Sequence, residues 1–232
     1  MTEAFSTYTL WFVNDSGYAG EVCVYQQPDS QQNYETLAWM VTGANPSVQV
    51  EFTWSSEFDF LWVQYGPTRA QQVKPATSLG SLIDITYNDF GFTFGPIQTH
   101  AEAGRLVVSS DGTIPTHADA VAGIGMGGAG TFAGQLRPNA RMPFTPSAAL
   151  TCLITFGNSR VQVNDRLDPA TLNPSGKIQY SGTNRIMTAR LDDANTWRIT
   201  PGPPQSSATT ASTGGVKVPR TTLHYVAGRG LV

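Results

Sequence analysis

Charge is the first thing this sequence is short of. Asp, Glu, Lys and Arg make up 13% of it, about half the usual share of roughly 25%. Gln, Asn, Ser and Thr fill the surface instead, which leaves little like-charge repulsion between copies and permits dense packing and self-association. Long apolar runs are missing too. None approaches the roughly 18 residues of a membrane span, so no membrane partner is expected. No basic stretch followed by an apolar one stands at the N-terminus, so no secretory signal is read. The expectation is a cytoplasmic protein, with export without a signal peptide left open. Cysteine is scarce: Cys23 and Cys152 are far apart, each in an apolar strand pattern (VCV and TCLI). That suits buried reduced thiols better than a disulfide framework.

Catalytic and cofactor signatures are also lacking. Of the histidines His100, His117 and His224, only His117 has a candidate ligand nearby, Asp119. Closed zinc sites need spaced Cys and His clusters, so no metal is expected. Asp192/Asp193, Asp165/Asp168 and Glu57/Asp59 are carboxylate pairs in sequence, but glycosidase-type work needs two carboxyls flanking a substrate, generally from separate strands. Asp165 and Asp168 lie among turn residues and read as turn chemistry. Gly123-x-Gly125-x-Gly127-Gly128 lacks the following helix of a dinucleotide fingerprint. Its glycines suit tight turns or the close approach of two backbones. No cofactor and no enzymatic activity are expected. Arginines of the second half are scattered and no nucleic-acid motif is visible, so no nucleic-acid partner is expected either.

What is there is β-pattern. Hydrophobic residues make up 40% and aromatics 10%, enough for a core. Short runs such as Tyr8–Val13, Glu21–Gln26, Leu37–Val41, Val48–Trp54 and Phe58–Tyr65 recur about every ten residues between turn clusters, as in a sandwich or barrel. In Val48–Trp54 the side chains of Val48, Val50, Phe52 and Trp54 fall on one face and Gln49, Glu51 and Thr53 on the other, because strand side chains alternate. One such face is packed and the other wet. The pattern continues to Thr196–Thr200. No stretch keeps a helical period over a dozen residues; Pro115–Val121 is at most one short turn-rich piece. The fold expected is all-β, an antiparallel β-sandwich, jelly-roll-like or Greek-key, with long loops and a C-terminal extension. Residues 1–200 form the single sandwich domain.

Residues 201–232 read as an arm. Pro201–Gly215 has a linker's composition, and Arg220–Val226 beyond it is strand-like. A linker carrying a terminal strand is the layout for strand addition to a sheet edge, in the same molecule or in a neighbour.

Charge is also divided by position. Met1–Ala103 holds eleven acids and two basic residues, net −9; Gly104–Val232 holds six acids and twelve basic residues, net +6. Either both blocks mix on one domain, or copies attract head to tail. The assembly interface expected is Arg220, Thr221, Thr222, Leu223, His224, Tyr225 and Val226 as an added strand, with Arg137 and Arg141 set against acids such as Glu51, Glu57 and Asp59.

Gly20–Gly66 carries GEVCVYQQP, LAWMV and NPSVQVEFTWSSEFDFLWVQYG. This order of motifs resembles the rhizosphere-expressed RhiA-like protein family of bacteria. The resemblance implies a bacterial, cytoplasmic, abundant protein with no catalytic residues to carry over. The charge division, the low charge content, the lack of a catalytic cluster and the terminal arm give the expected function. It is a self-associating structural or interaction protein, its partner another copy, forming filaments or other homo-oligomers through acidic-to-basic faces and C-terminal strand addition. The alternative is a carbohydrate- or ligand-binding β-sandwich without catalysis. Its basis is the tryptophans Trp11, Trp39, Trp54, Trp62 and Trp197 as a sugar-stacking platform, although four of them lie in apolar strand patterns that suit a core.

Overall fold

A computed structural model describes residues 6–28, 34–99, 102–146, 151–157, 160–205 and 220–232. Among these there is no helix, so none long enough to cross a membrane. The strands are β1 (Thr7–Asn14), β2 (Gly20–Tyr25), β3 (Glu35–Ala44), β4 (Val48–Ser55), β5 (Phe58–Gln64), β6 (Ala70–Pro75) and β7 (Leu82–Asn88). Then come β8 (Gly91–Gln98), β9 (Leu106–Ser110), β10 (Ala120–Met126), β11 (Ala129–Gln135), β12 (Arg141–Phe144) and β13 (Thr151–Phe156). The last are β14 (Arg166–Leu167), β15 (Gly176–Gln179), β16 (Ile186–Leu191), β17 (Trp197–Pro201), β18 (Thr221–Val226) and β19 (Gly230–Leu231). The all-β expectation is met, and Pro115–Ala118 is turn without helix.

Three sheets build a sandwich, and none closes into a barrel. A nine-stranded central sheet runs β15-β13-β2-β3-β11-β10-β5-β6, with β14 paired to β3. A six-stranded sheet, β17-β16-β1-β4-β18-β19, and a four-stranded one, β12-β9-β7-β8, complete it. Most ladders are antiparallel; β1/β16, β4/β18 and β7/β9 are parallel. The larger core joins the six-stranded sheet to the β2, β3, β13 and β15 end of the central sheet through Leu10, Phe12, Val24, Trp39, Phe52 and Ile154. A second core joins the four-stranded sheet to β5, β10 and β11 through Phe60, Ile83, Leu106, Ile124 and Phe144. Phe58 packs against both.

A bulge aims the largest buried side chain. Val24 pairs with Met40 and Tyr25 with Ala38, leaving Trp39 as the extra residue. Bulges re-aim side chains in this way. Trp39 is fully buried, lies edge-on to Trp54 at 4.9 Å, and donates Nε1–H to the Met126 carbonyl at 2.9 Å.

The glycine-rich segment is the most buried hairpin of the molecule. Every residue of β10 is buried, as are six of the seven in β11. Gly127 and Gly128, at φ 62° and 89°, supply the two positive φ values that a two-residue type I′ turn requires. A Cβ on Gly123 would stand 1.9 Å from the Phe132 carbonyl oxygen and 2.6 Å from the Ala133 Cα. The glycines thus allow both the turn and the close approach of two backbones.

Cys23 and Cys152 are free and buried, each thiol pushed up to about 12 by burial. They belong to different apolar clusters, and a thiol held protonated is a poor nucleophile.

Candidate functional site: the seat of the C-terminal hairpin

The strand expected at Arg220–Val226 is present as β18, seated in its own molecule. It adds to β4 in parallel, from Thr221 opposite Val48 to Val226 opposite Thr53. The alternation of β4 explains the fit. Its buried Phe52 meets the buried Tyr225 at a ring distance of 5.3 Å. On the outer face Gln49 Nε2–H donates to Thr222 Oγ1 at 2.7 Å, and Glu51 Oε2 lies 2.6 Å from His224 Nδ1. Leu223 is half-buried against the larger core. Strand β19 then pairs back on Tyr225 and Val226.

Two further contacts hold the hairpin. At its start, Arg220 and Arg190 share the carboxylate of Asp15, Arg190 at 2.6 Å. Arg190 also donates to the Gln205 carbonyl at 3.2 Å, so Arg190 links Gln205 to the carboxylate that Arg220 shares. At its turn, Gly228 lies against Gly127 and Gly128, where a Cβ would come within 2.5 Å of the Gly127 oxygen. The C-terminal turn therefore nests on the turn of the glycine-rich hairpin.

The other expected interface residues are spread out. Asp59 is buried and accepts from the Gly128 N–H at 2.6 Å, which removes it from a contact face. Glu57 is exposed and accepts from Ser55 Oγ. Arg141 pairs with Glu102 at 3.1 Å, and Arg137 is exposed. Five of the seven Arg–carboxylate pairs among the described residues join an acid before residue 103 to a base after residue 104. The two charge blocks thus mix within one chain, the first of the two alternatives. Such exposed pairs contribute about 0–1 kcal/mol each.

None of the five tryptophans is an exposed platform. Trp39, Trp54 and Trp62 are buried, and Trp11 and Trp197 are half-buried. Asp165, Asp168 and Asp192 accept backbone N–H groups within their own turns. Asp119 pairs with Arg166 at 2.8 Å, and among the described residues no three His, Cys, Asp or Glu converge on a metal position. His100 and Ser206–Gly215 lie outside the described residues.

Burial pushes the Asp59 carboxyl above its ordinary range, the Gly128 N–H opposes this, and the nearby Glu57 charge adds to it. A raised folded-state pKa means a contribution to stability that is complete below the unfolded pKa and lost as pH rises through the folded one. Asp59→Asn keeps the acceptor for Gly128 without the buried charge. Urea unfolding should show Asp59→Asn at least as stable as the parent at pH 7, with a smaller gain in stability on moving toward pH 4. A loss beyond about 1 kcal/mol at pH 7 with unchanged pH dependence would contradict this.

The family profile described as RhiA matches residues 5–202, ending before β18. The chain is 28% identical over 204 residues to Protein RhiA of Rhizobium leguminosarum bv. viciae, covering 84% of this chain and 86% of that protein. No solved structure matches it significantly.

Proposed function

The chain belongs to the RhiA family, and from that premise we propose a cytoplasmic, non-enzymatic structural protein that self-associates by exchanging its C-terminal hairpin between copies. The observation that carries this reading is the position of β18, between β4 and the two-residue β19 in the six-stranded sheet. Without the hairpin β4 is an edge, and an exposed edge is a template for another chain's strand. Fourteen residues separate Gln205 from Arg220, rich in Ser, Thr, Ala and Gly. A segment of that length spans at most roughly 50 Å, enough to bring the hairpin to the β4 of an adjacent copy.

The seat serves either arrangement. Asp15, Gln49, Glu51, Phe52 and the Gly127–Gly128 turn make the same contacts with a hairpin from their own chain or from a neighbour's. Exchange is then decided by concentration and by the connecting segment, closing into a ring or dimer if the rotation closes and running on as a filament if it does not. Low surface charge favours close approach, and the buried protonated thiols suit a reducing compartment.

A tether tests this with the fold intact. Gln49→Cys with Thr222→Cys, facing positions of the β4/β18 ladder, locks the hairpin in its own chain when oxidised; the two native thiols are buried. Imaging and light scattering at high protein concentration should show oligomers or filaments from the parent and the reduced variant. The monomer-purified, oxidised variant should stay monomeric. Assembly of the locked form to the same extent, or a parent that is monodisperse throughout, rejects strand exchange. Assembly that dissolves at about 1 M salt, where the screening length is about 3 Å, reassigns the contact to charged faces.

A further inference from the structure

Where the hairpin begins, the outer face of the six-stranded sheet gathers positive charge. One cross-strand row runs Arg198, Arg190, Val13, Gln49 and Thr222, from β17 through β16, β1 and β4 to β18. The neighbours of the two arginines along their strands, Trp197, Ile199, Ala189 and Leu191, pack into the larger core, so both guanidinium groups are on the outside. Arg198 and Arg190 are directly opposite in an antiparallel ladder, which sets their Cβ atoms about 4.5–5.5 Å apart. Like charges so placed destabilise a sheet. Arg198 is exposed and has no ion pair among the described residues. Arg220, just before β18, is a third cation beside Arg190, the two being joined through Asp15.

Asp15 is divided between them, Arg190 taking one oxygen and Arg220 the other. The other acids nearby are engaged elsewhere. Asp192 Oδ1 accepts the N–H groups of Ala194 and Thr196 in its own turn. Asp193 stands against Gly17, its Oδ1 3.5 Å from where a Cβ there would lie. Glu51, on the adjacent row, faces His224 at 2.6 Å. Three guanidinium groups therefore stand against one carboxylate, leaving two positive charges unmet. Asp15 already holds Arg190 and Arg220, with side chains 23% and 28% exposed, so two of the three need little further ordering to receive an anion.

We infer that Arg198 and Arg190, with Arg220 as the third charge, bind a phosphate-class dianion at the neck of the hairpin. The site is complete in one chain, so the inference stands whether or not hairpins are exchanged. Guanidinium forks match phosphate oxygens in pairs. A phosphate monoester carries about −1.5 to −2 charges at pH 7, which meets the surplus, whereas a single carboxylate leaves half of it. The anion also relieves the like-charge contact between Arg198 and Arg190. Because Arg220 belongs to the hairpin, the anion binds the seated hairpin more tightly than an opened one, and by linkage it holds the hairpin closed.

Calorimetric titration of the full chain with inorganic phosphate, adenosine monophosphate and acetate, at ionic strength matched with sodium chloride, measures the binding. A phosphate ligand should bind once per chain with a Kd of about 1–10 mM, and acetate about tenfold more weakly. The tighter of the two phosphates identifies the source as free or esterified. Arg198→Gln should weaken binding about tenfold, and Arg198→Lys, which keeps the charge and loses the fork, by less. Arg137→Gln, at an exposed arginine elsewhere, should bind as the parent does. At saturating phosphate, amide hydrogen exchange in β18 should slow by at least about threefold, each variant being compared with itself in chloride. No binding by about 30 mM, undiminished binding by Arg198→Gln, an equal loss in Arg137→Gln, or unchanged exchange in β18 overturns the inference.

Discussion

Gly123→Ala should not reach the native fold. The added Cβ would lie 1.9 Å from the Phe132 carbonyl oxygen, 2.6 Å from the Ala133 Cα and 2.8 Å from the Phe132 carbonyl carbon. All three belong to the backbone of the partner strand, so no side chain can rotate aside to make room. Relief requires β10 and β11 to separate. These two strands join β5 to β3 at the middle of the central sheet, so separating them splits the layer on which both cores rest. The expected loss exceeds about 4 kcal/mol, the exceptional end of single substitutions and a large part of a typical domain's total of about 5–15 kcal/mol. Circular dichroism and urea unfolding of the soluble fraction measure it. A well-folded Gly123→Ala chain within about 1 kcal/mol of the parent would show that the hairpin can shift.

The second large effect is Trp39→Ala, expected to cost about 3–5 kcal/mol through lost apolar burial and the cavity left behind. Trp39 is fully buried, touches Trp54 edge-on, and supplies the hydrogen bond to the Met126 carbonyl at the base of the glycine-rich turn. Since Gly127 and Gly128 of that turn receive Gly228, the loss should propagate to the C-terminal hairpin. Hydrogen exchange should then show β18 opening more readily than in the parent. Trp39→Phe keeps most of the packing and leaves the Met126 oxygen without its donor, for a smaller loss of about 1–3 kcal/mol. Equal losses for the two variants would mean that the hydrogen bond, rather than the volume of the ring, dominates.

The charge division is informative in a way the sequence could not settle. Opposed blocks are consistent with copies attracting one another or with one chain folding its halves together. Asp15 with Arg190 and Arg220, Glu35 with Arg166, and Glu102 with Arg105 and Arg141 take the second course. Much of the apparent interface charge is thereby satisfied within the chain.

Strands whose residues alternate or run apolar were legible from the sequence. The residue order of Val48–Trp54 divides its two faces as the structure does, because burial on one side of a sheet imposes a period of two that survives in the sequence. Thr221–Val226 was legible for the same reason, and the absence of any helical period excluded helices. Strands without that pattern leave no such mark in the sequence. Ala70–Pro75 is polar and lies at a sheet edge, where little burial shapes the sequence. Ala120–Met126 was hidden by its glycines, which signal turns locally and mark a tight backbone contact only once the partner strand is in place.

By itself, then, the sequence determined the all-β class, the half-buried face of β4, the buried thiols, the RhiA-like resemblance and the existence of a terminal strand, since each depends on local composition or on a short period. Only the tertiary structure decided that β18 lies parallel on β4 in its own chain, that Asp59 is buried beneath a turn, and that Arg166 gathers Glu35, Asp119 and Gln135. Those facts join residues tens to hundreds of positions apart. Their pairing comes from which sheet faces must bury one another, and no local pattern encodes that choice.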